Sequence, residues 1–422
     1  MLLLLLALIV TLPLDAKVKL GIDVLKEDNF KILEGKRVGL VANPASVDGN
    51  MTSTIDVLRN AKNVKLVALY GPEHGLYADA YAGDKVEDQK DAFGLPIYSI
   101  YGKTRKPTTQ MVEPIDVMVF DLQEIGSRSY TVISSMKLAM EACMEHDREF
   151  VVLDRPNPLG GERVEGPGLK KEFSSFVGLI DVPYVYGMTM GELAQYVRDR
   201  DYPDFQKLKV VKMQGWTRDM LWQDTGLLWV PTSPNVPHAE TCTYYAATGF
   251  LGEMQSLSNG IGFTAPFEFV GAPWINGDAL ANALNRSYGD PAPIYAAKAS
   301  RDDIVYSVIL APAPEGVHFR AARFKPMYAA FKTEKCQGVQ VYVDPRKAPS
   351  LVEVNLRILL ALGAKKVIGE TPKDRIAMFN KVNGSDETIQ WLMDGKPIDE
   401  LLAKWKKECD AFRETRKKYL LY

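Results

Sequence analysis

The groups best placed to do chemistry are a carboxyl and an imidazole, Glu73 and His74, side by side at the end of VKLVALYGPEHG (64–75). Either can exchange a proton with a bound molecule. The first half of the stretch is the continuous apolar run of a strand buried on both faces, and Gly71-Pro72 stops it. Gly75 lets the backbone turn, so both side chains are expected at the lip of a sheet. An isolated Glu-His pair is more often a solvated turn, but here the pattern repeats. VMVFDLQ (117–123) ends in Asp121 and Gln123, with Glu124, Arg128 and Tyr130 just beyond. FVVLDRPNP (150–158) ends in Asp154, Arg155 and Asn157, and RVGLVANPAS (37–46) ends in Asn43. The strands of a parallel sheet share one carboxyl edge, so these four polar endings would converge on one crevice, where open α/β sheets bind ligands.

The elements that must hold these endings alternate. Strands are expected over 37–42, 64–71, 97–101, 117–122, 150–153, 182–186 and 208–213, and helices over 54–61, 132–145 and 190–199. The stripe Ile133, Met136, Met140 and Met144 marks the core face of the 132–145 helix. Ser127 can cap that helix, and Arg128 can neutralise Asp121 or meet an anionic group near the free N–H donors. No G-x-G-x-x-G follows the first strand, which discounts NAD or FAD. The polar stretch 76–102 reads as a long functional loop, with Tyr77, Asp79, Tyr81 and Asp84 mostly on its surface. Trp216, Trp222 and Trp229 form the richest aromatic region, either plain packing or a platform for a sugar ring. From about Tyr244 the texture changes. FLGEMQSLSNGIGFTAPFEFVGAPWI is loop-like, two strands follow in GVHFRAARF and GVQVYV, and helices are expected over 351–362 and 398–419. The last is densely charged and reads as a solvated face over a second domain.

At 422 residues with 46% hydrophobic side chains, two domains are the expectation. The division drawn is a leader over 1–16, an α/β domain with a parallel sheet over 17–243, and a smaller α+β domain over 244–422. Lys and Arg number 51 against 53 Asp and Glu, a formal charge of -2 that argues against a nucleic-acid or acidic-membrane footprint. MLLLLLALIVTLPLDA is too short to span a bilayer and ends in Pro13 and a small Ala16, so it reads as a secretory signal and implies a periplasmic or secreted protein. Cys143, Cys242, Cys336 and Cys409 are scattered and read as buried small hydrophobes, with one disulfide left open. The histidines lack metalloprotease spacing, and neither a metal nor a cofactor is implied.

Taken in order, GPEHG, VFDLQEIGSRSYT, VVLDRPNPLGG, YGMTMGELA, PTSPNVP, PFEFVGAPWI, GVHF and the terminal YLLY resemble the NamZ-type exo-β-N-acetylmuramidases over essentially the whole mature chain. The resemblance implies a Rossmann-like domain joined to a smaller carboxyl-terminal domain, with the site in the cleft between them. It also implies release of N-acetylmuramic acid from the non-reducing end of peptidoglycan fragments. Glu73 is the catalytic candidate it implies, with His74, Asp121, Arg128, Tyr130 and Asn157 around it. Asn43, Gln123, Arg155, Asn235 and Glu253 complete the candidate set. Many members carry a stretch resembling FEGTNVSEGRGTT where this chain has FLGEMQSLSNGIGFTA, which leaves Glu253 as the only acid nearby. Tyr77 and Tyr81 stand where an arginine and an aspartate are expected.

Glycoside cleavage ordinarily uses one carboxyl to protonate the leaving oxygen and a second group to stabilise or attack the anomeric carbon. On this reading Glu73 is the general acid and Asp121 the second carboxylate, or else the substrate's acetamido oxygen attacks with Asp121 or Tyr130 orienting it. The lactyl carboxylate of muramic acid needs a cation, supplied by Arg128 or Arg155. Two other classes stay open: a non-catalytic periplasmic sugar-binding protein, and a nucleotide-dependent transferase, against which the missing phosphate-cradling glycines count.

Overall fold

A computed structural model describes residues 17–81, 84–285 and 313–422. The expected leader lies outside the described residues. The first half of the chain builds a seven-stranded sheet from β1 (Arg37–Val41), β2 (Lys65–Gly71), β3 (Gln89–Lys90), β4 (Pro96–Ser99), β5 (Val117–Phe120), β6 (Glu149–Leu153) and β7 (Leu208–Val211), in the order β3-β4-β2-β1-β5-β6-β7. All pairs are parallel except the short edge pair β3-β4. β1, β5 and β6 are apolar and buried along nearly their whole length because helices cover both faces. The strand order reverses between β1 and β5, the switch point at which such sheets usually open a crevice.

Helices Val132–Glu145 and Met190–Asp201 stand where the periodicity puts them. The second begins with a reciprocal Thr189/Glu192 capping box. The expected strand over 182–186 does not join the sheet. Val185 only bridges to Ser127 and Glu165, and Tyr184 and Tyr186 are fully buried. Its apolar run reflects burial between layers, which a strand and a packed extended segment share.

The second half forms an antiparallel sheet in the order β8-β10-β9, from β8 (Phe269–Ala272), β9 (Val317–Phe324) and β10 (Cys336–Val343). β8 lies in the stretch 250–275 that reads as loop, and helix Thr241–Gly252, where no element is expected, packs on helix Val352–Ala361. One hydrophobic core runs from Phe120 and Met136 of the first half, through Tyr184 and Phe250, to Val339 and Leu356 of the second.

The final helix Ile398–Arg416 is not a solvated face over the second domain. Trp405, Cys409, Phe412 and Arg416 form a buried stripe, and the helix returns the chain to the first domain. Arg416 donates to the carbonyls of Gly161, Tyr186 and Gly187, and Tyr422 donates to Asp154 at 2.8 Å. The exposed charges dominate this helix by number, but its apolar stripe at helical spacing decides where it docks. All four cysteines are free and buried.

Candidate active site

The turn after β2 is tight. A Cβ on Gly71 would lie 2.7 Å from the Leu76 nitrogen, and His74 (φ 69°) and Gly75 (φ 79°) both occupy the left-handed region. His74 is buried, and its Nδ1 lies 2.8 Å from the Ala80 carbonyl, so the imidazole braces the following loop. Glu73 is turned the other way. Its Oε2 accepts the Thr131 hydroxyl at 2.5 Å. Thr131 occupies the N-cap of helix Val132–Glu145 yet makes no side-chain cap bond, because its hydroxyl is spent on Glu73. Glu73 therefore sits at the amino end of a fourteen-residue helix, where free N–H groups and the macrodipole favour a negative charge.

Four groups feel the Glu73 charge. Burial first and then Glu73 push the Tyr101 phenol up to about 12. Tyr130 and Tyr245 rise mainly through burial, with Glu73 adding to both. The fourth is Glu253, at the C-cap of helix Thr241–Gly252. Burial pushes its carboxyl up to about 7, with Arg375 opposing and Glu73 reinforcing the rise. Around this pair of carboxyls the wall is aromatic. Tyr130 meets Tyr245 edge-on at 6.3 Å, and Tyr245 meets Phe267 at 4.8 Å. The Ser129 hydroxyl lies 3.0 Å from both the Tyr184 and the Tyr245 hydroxyls. The cluster is thus assembled from strand β2, the 129–131 turn and the helices of the second half.

The other sequence candidates are placed differently. Arg155, and not Arg128, holds Asp121: Nε to Oδ1 is 2.6 Å and Nη2 to Oδ2 is 2.9 Å. The Thr54 hydroxyl donates to the same carboxylate at 2.6 Å. This buried ion pair plugs the switch point between β1 and β5, where a hollow of only about 20 Å³ remains beside Gln123 and Arg155. Both Asp121 oxygens are therefore engaged by Arg155 and Thr54. Arg128 is fully buried and donates to the carbonyls of Pro167, Val182, Val382 and Asn383 at 2.6 to 3.2 Å, tying the two halves together. Burial lowers it to about 10. Ser127 does not cap the helix; its hydroxyl is buried without a partner among the described residues.

Asn43, Gln123 and Asn157 are likewise committed to backbone. Asn43 binds the Thr232 carbonyl at 3.0 Å, Gln123 the Glu124 and Pro156 carbonyls at 2.8 Å, and Asn157 the Met188 carbonyl at 3.0 Å. The Tyr130 hydroxyl donates to Thr232 at 3.2 Å. Asn235 accepts the Tyr328 hydroxyl at 2.8 Å, and Tyr328 stacks on the exposed Tyr81 at 5.1 Å. The tryptophans are packing: Trp222 meets Trp229 edge-on at 4.8 Å and Trp216 meets Tyr422 at 5.3 Å.

Sequence reasoning passed over Tyr101, Thr131, Tyr245 and Arg375. Thr131 carries a usable signal, an N-cap residue type directly before a strong helical period. Tyr101 ends an expected strand, and Tyr245 and Arg375 lie on helices with nothing in their surroundings to mark them. A separate cavity of about 620 Å³ lies between residues 159–166 and helix Ile398–Arg416, with Arg163, Glu165 and Trp405 among its lining, and shares no residue with the Glu73 cluster.

A seven-stranded, mostly parallel sheet with a carboxyl after β2 held at a helix amino terminus, joined to a second half with an antiparallel sheet, defines an α/β protein; glycoside hydrolases ordinarily use such a carboxyl together with a second one. Comparison with known proteins agrees. Residues 38–240 match the family model for the amino-terminal part of exo-β-N-acetylmuramidase NamZ, and residues 243–422 match the model for its carboxyl-terminal part. The peptidoglycan β-N-acetylmuramidase NamZ of Bacillus subtilis (strain 168) is 39% identical over 411 residues, covering 96% of this chain and 92% of that protein. Two crystal structures of DUF1343 family proteins from Bacteroides fragilis superimpose with TM-scores of 0.83 and 0.71, at 43% and 26% identity, each over 96% of this chain and 99% of the other. The chain belongs to the NamZ exo-β-N-acetylmuramidase family.

Proposed function

We propose that this protein is an exo-acting glycosidase that releases N-acetylmuramic acid from the non-reducing end of peptidoglycan fragments, with Glu73 and Glu253 as its reacting carboxyls. The observation that carries the assignment is their contrast in surroundings. Glu73 has a hydroxyl donor and a helix amino terminus, which serve a carboxylate. Glu253 is raised to about 7, so a large share of it holds a proton near neutral pH. A carboxyl held by a hydroxyl at a helix amino terminus beside one raised by burial suits a partner and an acid. Glu253 then protonates the leaving oxygen, while Glu73 stabilises or attacks the anomeric carbon, or steadies an attacking acetamido group. This exchanges the role given to Glu73 from sequence and puts Glu253 where Asp121 was expected. Tyr130 and Tyr245 offer ring faces to the apolar side of the sugar.

The apolar start of the chain supports export to a periplasm or the exterior, where such fragments arise. The test is incubation with the disaccharide MurNAc-GlcNAc, a chromogenic muramic acid glycoside and its glucosamine analogue. Free N-acetylmuramic acid from the first two is expected. If none is cleaved while muramic acid still raises the melting temperature, the protein binds without hydrolysing.

A further inference from the structure

We propose that Arg105 forms the anion subsite of this site and binds the lactyl carboxylate that distinguishes muramic acid from glucosamine; the proposal rests on the function given above. Neither arginine expected in that role is free for it. Arg155 is engaged by Asp121, and Arg128 is enclosed by four carbonyls. Arg105 lies in the turn between β4 and the helix Thr109–Val112, and its guanidinium carbon is 4.5 Å from the centroid of Phe176 and 5.4 Å from that of Tyr101. Among the described residues no carboxylate lies within ion-pair distance of it. Gly71 of β2 pairs with Ser99 of β4, so Glu73 and Tyr101 each stand two residues beyond the same rung of the sheet, and the Arg105 guanidinium lies over the Tyr101 ring there.

A guanidinium laid on aromatic rings keeps its plane and leaves its N–H edge open, the arrangement that grips a carboxylate through two parallel hydrogen bonds. The turn itself is anchored. Lys106 is bound to Glu141 at 3.0 Å and to Glu145 at 2.8 Å on the helix whose N-cap holds Glu73. A Cβ on Gly102 would lie 2.3 Å from the Val86 carbonyl, so the chain is pressed close there. Arg375 is the competing cation, but it lies 3.1 Å from Asp374 and its charge acts on Glu253. Arg105 has no such carboxylate partner among the described residues.

The experiment is a cycle between protein and substrate. Chromogenic N-acetylmuramide and its lactyl methyl ester are assayed with wild type, Arg105→Ala, Arg105→Lys and Arg375→Ala. A charge-assisted pair predicts a KM about 10- to 100-fold higher for the free acid in Arg105→Ala, with kcat changed far less. Wild type should disfavour the ester by a similar factor, Arg105→Ala should treat acid and ester alike, and Arg105→Lys should recover part of the loss. Equal losses on acid and ester in Arg105→Ala, or a cycle that closes on Arg375, overturns the proposal. Calorimetry of N-acetylmuramic acid against its methyl ester, on the same variants, reads the subsite without turnover. Loss of discrimination there in Arg105→Ala upholds the subsite even if no glycoside is cleaved, and unchanged discrimination refutes it.

Discussion

Glu253→Gln keeps the shape of the side chain and removes the proton that the proposed acid donates. In the folded protein the carboxyl rises from 4.5 to about 7, which corresponds to roughly 3 kcal/mol in favour of the acid form. At pH 7 an ordinary glutamate is protonated about one time in 300, whereas Glu253 is protonated about half the time. Positioned acid catalysis is worth roughly 10²- to 10⁴-fold. The variant should therefore lose about that factor in kcat/KM on MurNAc-GlcNAc, whose leaving alcohol must be protonated. On a nitrophenyl glycoside, whose leaving group departs as a stable anion, it should lose much less. The pH profile supplies a second readout. Wild-type activity should fall as pH rises through about 7, when the acid loses its proton, and the variant should lack that limb. Equal losses on both substrates, or an alkaline limb that persists in Glu253→Gln, would refute the acid's assignment.

Other outcomes follow from the same geometry. Thr131→Val removes the hydroxyl from Glu73 while leaving the backbone of the helix cap in place, so kcat should drop about tenfold with little change in melting temperature, a loss of about 1.4 kcal/mol. Arg128→Met strips the donors from four buried carbonyls that join the two halves, and should lower stability by about 3 kcal/mol or more in urea unfolding. Glu124 is fully buried, and burial pushes its carboxyl from 4.5 up to about 8. The folded state holds this proton after the unfolded chain has released it. The contribution is therefore complete below pH 4.5 and fades as pH rises to about 8, with a slope of up to about 1.4 kcal/mol per pH step. Glu124→Gln should flatten the fall of melting temperature across that window; an unchanged slope would assign the pH dependence to other groups.

Much of the frame is legible in the sequence because burial writes itself into strands. Runs such as VMVF and FVVL are apolar on both faces only when helices cover a parallel sheet twice over, and the polar residues after them do lie along one edge. Topology carries the site no further than that edge. A shared edge does not imply a shared hollow: the endings of β1, β5 and β6 fold in on themselves through Asn43, the Asp121–Arg155 pair and Asn157, while Glu73 after β2 is held at the N-cap of helix Val132–Glu145. Side chains of the same chemical type serve equally well as ligand contacts or as fasteners for loops, and spacing does not separate the two. Glu253 and Arg375 come from helices whose positions depend on long-range packing, helix Thr241–Gly252 against Val352–Ala361. Helix Thr241–Gly252 is buried along most of its length, so it has little amphipathic signature to read.

The decisive measurement is a crystal structure of the Glu253→Gln variant soaked with MurNAc-GlcNAc. The muramic ring is expected against Tyr130 and Tyr245, with its glycosidic oxygen within hydrogen-bond reach of the amide introduced at position 253 and its anomeric carbon facing Glu73. Density for the sugar in the 620 Å³ cavity beside Trp405, or over the Asp121–Arg155 pair, with none against Glu73, would contradict the two-carboxyl assignment.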